Sequence, residues 1–468
     1  MISPLDPDRL FPLDPRARGL ARALYDGIRN LPIISPHGHC DPRWFAENQP
    51  FPDPARLFVT PDHYIFRMLF SQGVALESLG VERTDGGPVE HDPRKIWQVF
   101  AAHYHLLRGT PSALWTQHAF AEVFGVTARL SPATADRIYD RIADCLSQPE
   151  FLPRALFDRF NIEVLATTDS PLDDLLWHRM IRTSGWSGRV ITAYRPDQVT
   201  DPELPGFAAN LSRLGDITGE DCSTWHGYLA AHRQRRLYFK EFGATATDHG
   251  HATARTENLQ PAEAADLFHR VRGGAAGDEA DAFRGQMLTE MARMSLTDGL
   301  VLQIHPGSSR NHSPAILDRF GRDKGFDMPT RTDFVHGLKP LLDAFGTDPR
   351  LSIILFSLDE TTQSRELAPL AGAYPTVKLG PPWWFFDSPD GMRRFREATT
   401  ETAGFANTVG FNDDTRAFCS IPARHDVARR VDCAYLATLV ATGRLAREDA
   451  GDLAQDLTYR LAKRAYRL

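Results

Sequence analysis

Short apolar runs alternate with longer stretches of helical periodicity along most of the chain. Eight runs (residues 32–39, 162–169, 189–195, 243–249, 300–305, 351–359, 376–380 and 407–412) are rich in Val, Ile, Leu, Thr or Phe and lack strict apolar–polar alternation. Strands covered on both faces have this pattern, as they do in parallel sheets. Between them, residues 172–182, 262–272, 332–345 and 391–402 place apolar side chains at i, i+3 and i+4, and residues 283–294 repeat on the same helical period. The alternation predicts parallel α/β architecture with right-handed crossovers, and eight strands predict a closed (β/α)8 TIM-type barrel spanning 1–468. An open, doubly wound sheet is the second topology. No G-x-G-x-x-G opens a helix after the first run, which counts against its dinucleotide-binding form.

The first unit is irregular, because about 120 residues separate the first run from the second, far more than a βα connection needs. Helical patterns at 62–71, 93–107, 113–124 and 133–145 make residues 45–150 a mostly helical insertion, a lid or assembly surface. Residues 425–468 are predicted to be helical and to pack on the barrel. The basic ending (Arg460, Lys463, Arg464, Arg467) suits a helix C-terminus.

Composition narrows the functional classes. In 468 residues, 42% apolar content with 28 Phe supports a large core and excludes a mainly disordered chain. A net charge of −7 argues against a general nucleic-acid or anionic-membrane binder, and no apolar run approaches the ~18 residues that span a bilayer. Residues 1–8 are acidic and broken by proline, unlike a signal peptide. Five cysteines without a C-x-x-C pair exclude a disulfide framework as the organising principle and fit a reducing, cytoplasmic setting.

In a parallel barrel the chemistry sits at the carboxyl ends of the strands. The polar residues ending the runs are His37-Gly38-His39, Thr168-Asp169, Arg195-Pro196-Asp197, Asp248-His249, His305, Ser357 with Asp359, Trp383-Trp384, and Asp413-Asp414-Thr415-Arg416. Imidazoles, carboxylates and guanidinium groups meeting at one mouth suit a metal site beside a pocket for an anionic substrate. The chain holds three H-x-H pairs, where chance composition predicts about 0.6, so the bare pattern is weak. His103/His105 falls on a helix, where i and i+2 diverge, and is expected to be structural. His249/His251 runs from a strand into a loop and is also expected to be structural. His37/His39 alone has strand context, with both rings on one face. His305 is followed by Pro306-Gly307, which leaves room for a ligand. Asp248 is a site residue or a helix cap, Arg195 and Arg416 are anion grips or ordinary ion pairs, and Trp383 is a pocket wall or core.

Together these segments resemble the uronate isomerase (glucuronate isomerase) family, a branch of the amidohydrolase superfamily of metal-dependent barrels. The resemblance runs through His37-Gly38-His39-Cys40-Asp41-Pro42, Asp62-His63-Tyr64-Ile65-Phe66-Arg67, Tyr194-Arg195-Pro196-Asp197 and Asp248-His249-Gly250. It continues through Gln303-Ile304-His305-Pro306-Gly307, Trp383-Trp384-Phe385, Asp414-Thr415-Arg416-Ala417-Phe418 and Arg424-His425. It implies aldose–ketose isomerisation of D-glucuronate to D-fructuronate and of D-galacturonate to D-tagaturonate, by proton transfer between C2 and C1 through a cis-enediol. It also implies one divalent metal, zinc, on His37, His39 and Asp414. Asp414, Tyr64, His63 and Arg416 would be catalytic, and Arg195, Asp248, His305, Trp383, Arg416 and His63 would bind substrate. The partner is a small uronic acid, with no nucleic acid or membrane, and the insertion and charged tail are compatible with a homo-oligomer. Two departures stand out. Ser35-Pro36 occupies the place where most relatives carry an acidic residue two positions before the first His. Asp413-Asp414 places two carboxylates side by side, and the Asp-x-Arg spacing selects Asp414. The alternative is an amidohydrolase-type metal-dependent hydrolase or deaminase. No Lys ends a run to serve as the bridging ligand of its two-metal form.

Overall fold

Seven of the eight apolar runs form parallel strands: β1 (Ile33–Ser35), β2 (Ile162–Asp169), β3 (Val190–Tyr194), β4 (Ala246–His249), β5 (Val301–Ile304), β6 (Ile353–Leu355) and β7 (Val377–Leu379). They pair in chain order, each with the next, and successive strands are joined by helical crossovers. This is the curled parallel sheet of a TIM-type barrel, and nearly every strand residue is buried because helices cover one face and the barrel interior the other. The computed structural model describes residues 5–468. Met1, Ile2, Ser3 and Pro4, half of the segment judged unlike a signal peptide, lie outside the described residues.

The eighth run, 407–412, closes the ring without becoming a regular strand. Thr408 forms a single parallel bridge with Leu379, and Val409 N–H donates to Leu379 O at 3.1 Å. On the other side His39 N–H donates to Thr415 O at 3.0 Å. Gly410 interrupts the run with φ +76°, and a Cβ there would stand 2.6 Å from Leu457 O of the terminal helices. Backbone crowding therefore replaces ladder hydrogen bonds on this segment.

Residues 45–150 fold as short helices, among them Pro54–Phe58, His63–Phe70, Pro93–His103, Pro111–His118 and Ala135–Leu146. Several begin at an Asp-Pro or Thr-Pro pair. Asp53, Asp92 and Thr110 accept the first-turn amides of Arg56, Arg94 and Ala113, while the following proline supplies a preset φ. Phe58, Trp97, Phe100, Phe120 and Phe124 form their core.

After Ile421–Ala441, the tail turns through Arg447–Gln455 and Leu461–Ala465 and seals the barrel floor. Tyr466 is fully buried among Ala246, Val301, Ile354 and Val409; its hydroxyl donates to Gln303 Oε1 at 3.0 Å and accepts from Asn412 Nδ2 at 3.3 Å. Lys463 pairs with Glu163 at 2.5 Å, and Arg467 donates to the carbonyls of Gly299 and Arg350. The basic residues thus bind strand-end acceptors as well as ending a helix. No helix among the described residues is long and apolar enough to cross a membrane, and all five cysteines are unpaired and buried.

Truncating Tyr466 to Ala is expected to cost about 3–5 kcal/mol through the cavity it leaves. Tyr466→Phe is expected to cost about 1 kcal/mol for the lost hydroxyl bonds. Thermal unfolding of the two variants beside the parent measures the difference.

Candidate active site

The carboxyl ends of the strands open into a cavity of about 730 Å³. Nine of the ten residues named from the sequence line it: His37, His39, His63, Tyr64, Arg195, His305, Trp383, Asp414 and Arg416. The tenth, Asp248, lies in the wall with no solvent exposure.

Pro36 has no N–H to continue the ladder, so β1 stops at Ser35 and both histidines lie just past the strand. The same-face argument for i and i+2 therefore does not strictly apply. The rings nevertheless converge, edge to face at 5.3 Å, with Nε2 of His37 and His39 at 3.4 and 3.1 Å from Asp414 Oδ1. Asp414 reaches them from a left-handed backbone, φ +38°, a conformation that costs a non-glycine residue energy and is commonest where geometry is dictated by function. Of the adjacent carboxylates, Asp413 turns away to His425 Nε2 at 3.0 Å. Burial opposes ionisation of Asp414, but the facing imidazoles outweigh it and hold the carboxyl well below its ordinary value.

His305 stacks on His37 at 4.7 Å and meets Trp383 edge-on at 4.9 Å. Its Nδ1 lies 2.7 Å from Asp248 Oδ1. With the carboxylate as acceptor, Nδ1 carries the proton and Nε2, buried and without a partner, presents a lone pair. Asp248 is also 3.0 Å from Arg195 Nη1, and this guanidinium, with the hydrogen bond to His305, overcomes the burial that would otherwise raise its pKa and holds it well below the usual range. Donor atoms of His37, His305 and Asp414 lie within 4.8 Å of one another. Two ligands of a tetrahedral ion with bonds of ~2.05 Å sit about 3.3 Å apart, close to the separations that His37 and His39 keep from Asp414. Two imidazole nitrogens on one carboxylate oxygen, with the unpartnered Nε2 of His305 beside them, fit the donor set of a divalent cation.

The two arginines differ. Arg195 is committed, with Nε on Asp197 Oδ2 at 2.9 Å and Nη1 on Asp248. Arg416 has no ion pair among the described residues and faces the cavity.

The insertion contributes through the start of the helix His63–Phe70, capped by Asp62, which accepts from Tyr64 N at 2.9 Å. His63 and Tyr64 pack against Trp384 at 4.4 and 4.6 Å. Burial, with Arg416 nearby, holds His63 well below its ordinary pKa and therefore neutral. Tyr64 Oη donates to Asp387 Oδ2 at 3.0 Å, and Arg424 Nη1 donates to the same oxygen at 2.5 Å. Burial pushes Asp387 up to about 6 despite Arg424.

Asp387 and Arg310 escaped sequence analysis. Asp387 follows the aromatic run and ends no strand. Arg310 follows a two-residue antiparallel ladder, Ser308–Ser309 against Met328–Pro329, too short to leave a periodic signal. Arg310 pairs with Asp327 at 3.1 Å and lines the cavity. His103 and His105 hydrogen-bond to backbone carbonyls of their own segment, Val99 O and Ala102 O, as helical residues do.

A parallel α/β barrel with imidazoles, carboxylates and a free arginine at its carboxyl mouth defines a barrel enzyme. A model of the glucuronate isomerase family matches residues 16–466. The chain is 66% identical to the uronate isomerase of Mesorhizobium japonicum over the full length of both. The crystal structure of glucuronate isomerase from Caulobacter crescentus superposes with a TM-score of 0.97 at 59% identity, covering 98% of this chain and 96% of that one. The uronate isomerase of Thermotoga maritima superposes at 0.91 with 27% identity, covering 99% of each chain. The chain belongs to the glucuronate isomerase family, and it is an isomerase.

Two tests follow from this geometry. A Cβ on Gly250 would stand 2.5 Å from Arg195 Nη2 and 2.7 Å from Arg310 Nη2, so Gly250→Ala is expected to displace both guanidinium groups. The expected kinetic result is a KM raised about tenfold, a loss of roughly 1.4 kcal/mol in binding. With Asp387 at about 6, protonation below that pH removes the charge facing Arg424 and Tyr64. Activity is therefore expected to fall on the acid side, and a kcat/KM profile of Asp387→Asn should lack that limb.

Proposed function

We propose that the enzyme interconverts D-glucuronate with D-fructuronate and D-galacturonate with D-tagaturonate. The observation that supports this best is the unpaired Arg416 sharing one cavity with the His37, His39 and Asp414 group. A uronic acid has an anionic end for a guanidinium and, at the other end, a carbonyl flanked by a hydroxyl-bearing carbon. Arg416 grips the carboxylate, with Arg195 shaping the same wall through Asp197 and Asp248. Trp383 closes the pocket against the sugar, and Asp248 orients His305 beneath it.

Isomerisation moves a proton between C2 and C1 of the open-chain sugar. That requires a base, stabilisation of the developing oxyanion, and return of the proton on the same face. Asp414 is the base: its carboxylate stays ionised, takes the C2 proton and returns it to C1 through a cis-enediol. Neutral His63 and the Tyr64 hydroxyl, held by Asp387, assist ring opening at the anomeric and ring oxygens. His37, His39 and Asp414 would hold one divalent ion, zinc, and His305 has a donor atom within 4.8 Å of those of His37 and Asp414. When bound, the ion supplies Lewis-acid polarisation of the substrate oxygens.

Purified enzyme is expected to form ketose from both acids in a coupled assay, and to lose most of that activity on chelation and regain it with zinc. No turnover of either acid by metal-restored enzyme would end the proposal. In deuterated water, Asp414→Asn is expected to lower kcat by about 10²–10⁴-fold and to abolish deuterium entry at C1. Exchange surviving at the parent rate removes Asp414 from the proton transfer.

A further inference from the structure

The second histidine pair at the end of a strand, His249 and His251, does not behave as an ordinary structural pair. Side chains alternate along β4, so His249 points to the opposite face from Asp248, away from the catalytic group. Its Nε2 lies 3.0 Å from Thr247 Oγ1 on that same face, which leaves Nδ1 buried and without a partner. His251 is buried with neither ring nitrogen partnered. The rings meet edge to face at 5.9 Å, and a carboxylate oxygen of Asp197 completes a set whose donor atoms lie within 4.8 Å of one another. The Gly250 amide, between the two histidines, donates to Asp197 at 3.2 Å and fixes its carboxylate.

We propose that Asp197, His249 and His251 form a second divalent-metal site, distinct from the His37, His39 and Asp414 group. Two imidazoles and one carboxylate are a donor set for zinc and other ions of the borderline class. An ion there would partner His249 Nδ1 and one nitrogen of His251, two of the three ring nitrogens that are buried without a hydrogen bond. Asp201 and Asp281 add negative charge near His251, while the neighbouring Arg284 is already paired with both. Asp197 itself lines the substrate cavity, which provides an entry path. Because Asp197 also holds Arg195 Nε, the ion would fix the arginine that braces Asp248.

The test is a zinc count on the full-length enzyme, stripped with a chelator, reloaded with zinc alone and measured by calorimetry and elemental analysis. The parent is expected to take two equivalents. His251→Asn and Asp197→Asn are each expected to take one, with the lost equivalent weakened at least about tenfold. His37→Asn/His39→Asn is expected to retain one equivalent, so the answer stands even where a variant of the cluster fails to fold. A single equivalent in the parent that disappears in His37→Asn/His39→Asn overturns the site. So does a second equivalent that survives unchanged in a folded His251→Asn or Asp197→Asn. None of these readouts depends on which sugar acid is turned over.

Discussion

The geometry of the mouth depends on how a carboxylate with no access to water is kept charged. Isolated, the Asp248 carboxylate would be costly to ionise in the barrel wall. Arg195 neutralises it on one side and His305 Nδ1 hydrogen-bonds to it on the other, and these three residues come from the ends of β3, β4 and β5. The same contacts settle the tautomer of His305, because a proton shared with Asp248 leaves the opposite nitrogen free. They also immobilise Arg195 in the wall, while Arg416 faces the cavity with no ion pair among the described residues. One buried charge thus sets the proton on an imidazole, the posture of a guanidinium and the relative placement of three strands.

The helical insertion completes what the barrel cannot. Strand ends supply the imidazoles, carboxylates and arginines, and a phenol and a neutral imidazole arrive together from the first turn of one capped helix. Their seating on Trp384, and the bond from Tyr64 to Asp387, join the insertion to the loop after β7. Arg424 lies over the Trp115 ring at 3.6 Å and also reaches Asp387, so the long helix near the C-terminus joins the same contact. Stacked aromatic and cationic contacts of this kind hold a segment in place without main-chain ladder bonds.

Much of this was legible in the sequence because burial on both faces leaves a strong mark. The runs at 162–169 and 300–305 coincide with β2 and β5 to within two residues, and the strand-end rule collected His37, His39, Arg195, His305, Trp383, Asp414 and Arg416 from the cavity lining. The segment 407–412 has the right composition, yet Gly410 and the crowding of Leu457 deny it a regular ladder, a tertiary effect that no local pattern reports. Asp387 and Arg310 lie in irregular loops, where position is set by contacts distant in sequence. His249 and His251, running from a strand into a loop, carry no mark in the sequence beyond that of a structural pair. The approach of Asp197 from the loop after β3 and their unpartnered ring nitrogens distinguish them from ordinary buried imidazoles.

The junction that closes the barrel also sets the order of assembly. His39 and Cys40 meet Thr415 across a separation of about 375 residues, and the imidazoles of His37 and His39 meet Asp414 at the same seam. Contacts so remote in sequence carry a large loop-closure entropy and form late, after the local βα units have docked. The His37, His39 and Asp414 group therefore comes together late in folding. A chain cut or stalled before residue 413 holds nearly every barrel strand and both histidines but lacks the carboxylate and the seam. Its capacity to capture a cation at that group would report completion of the whole fold rather than of any part.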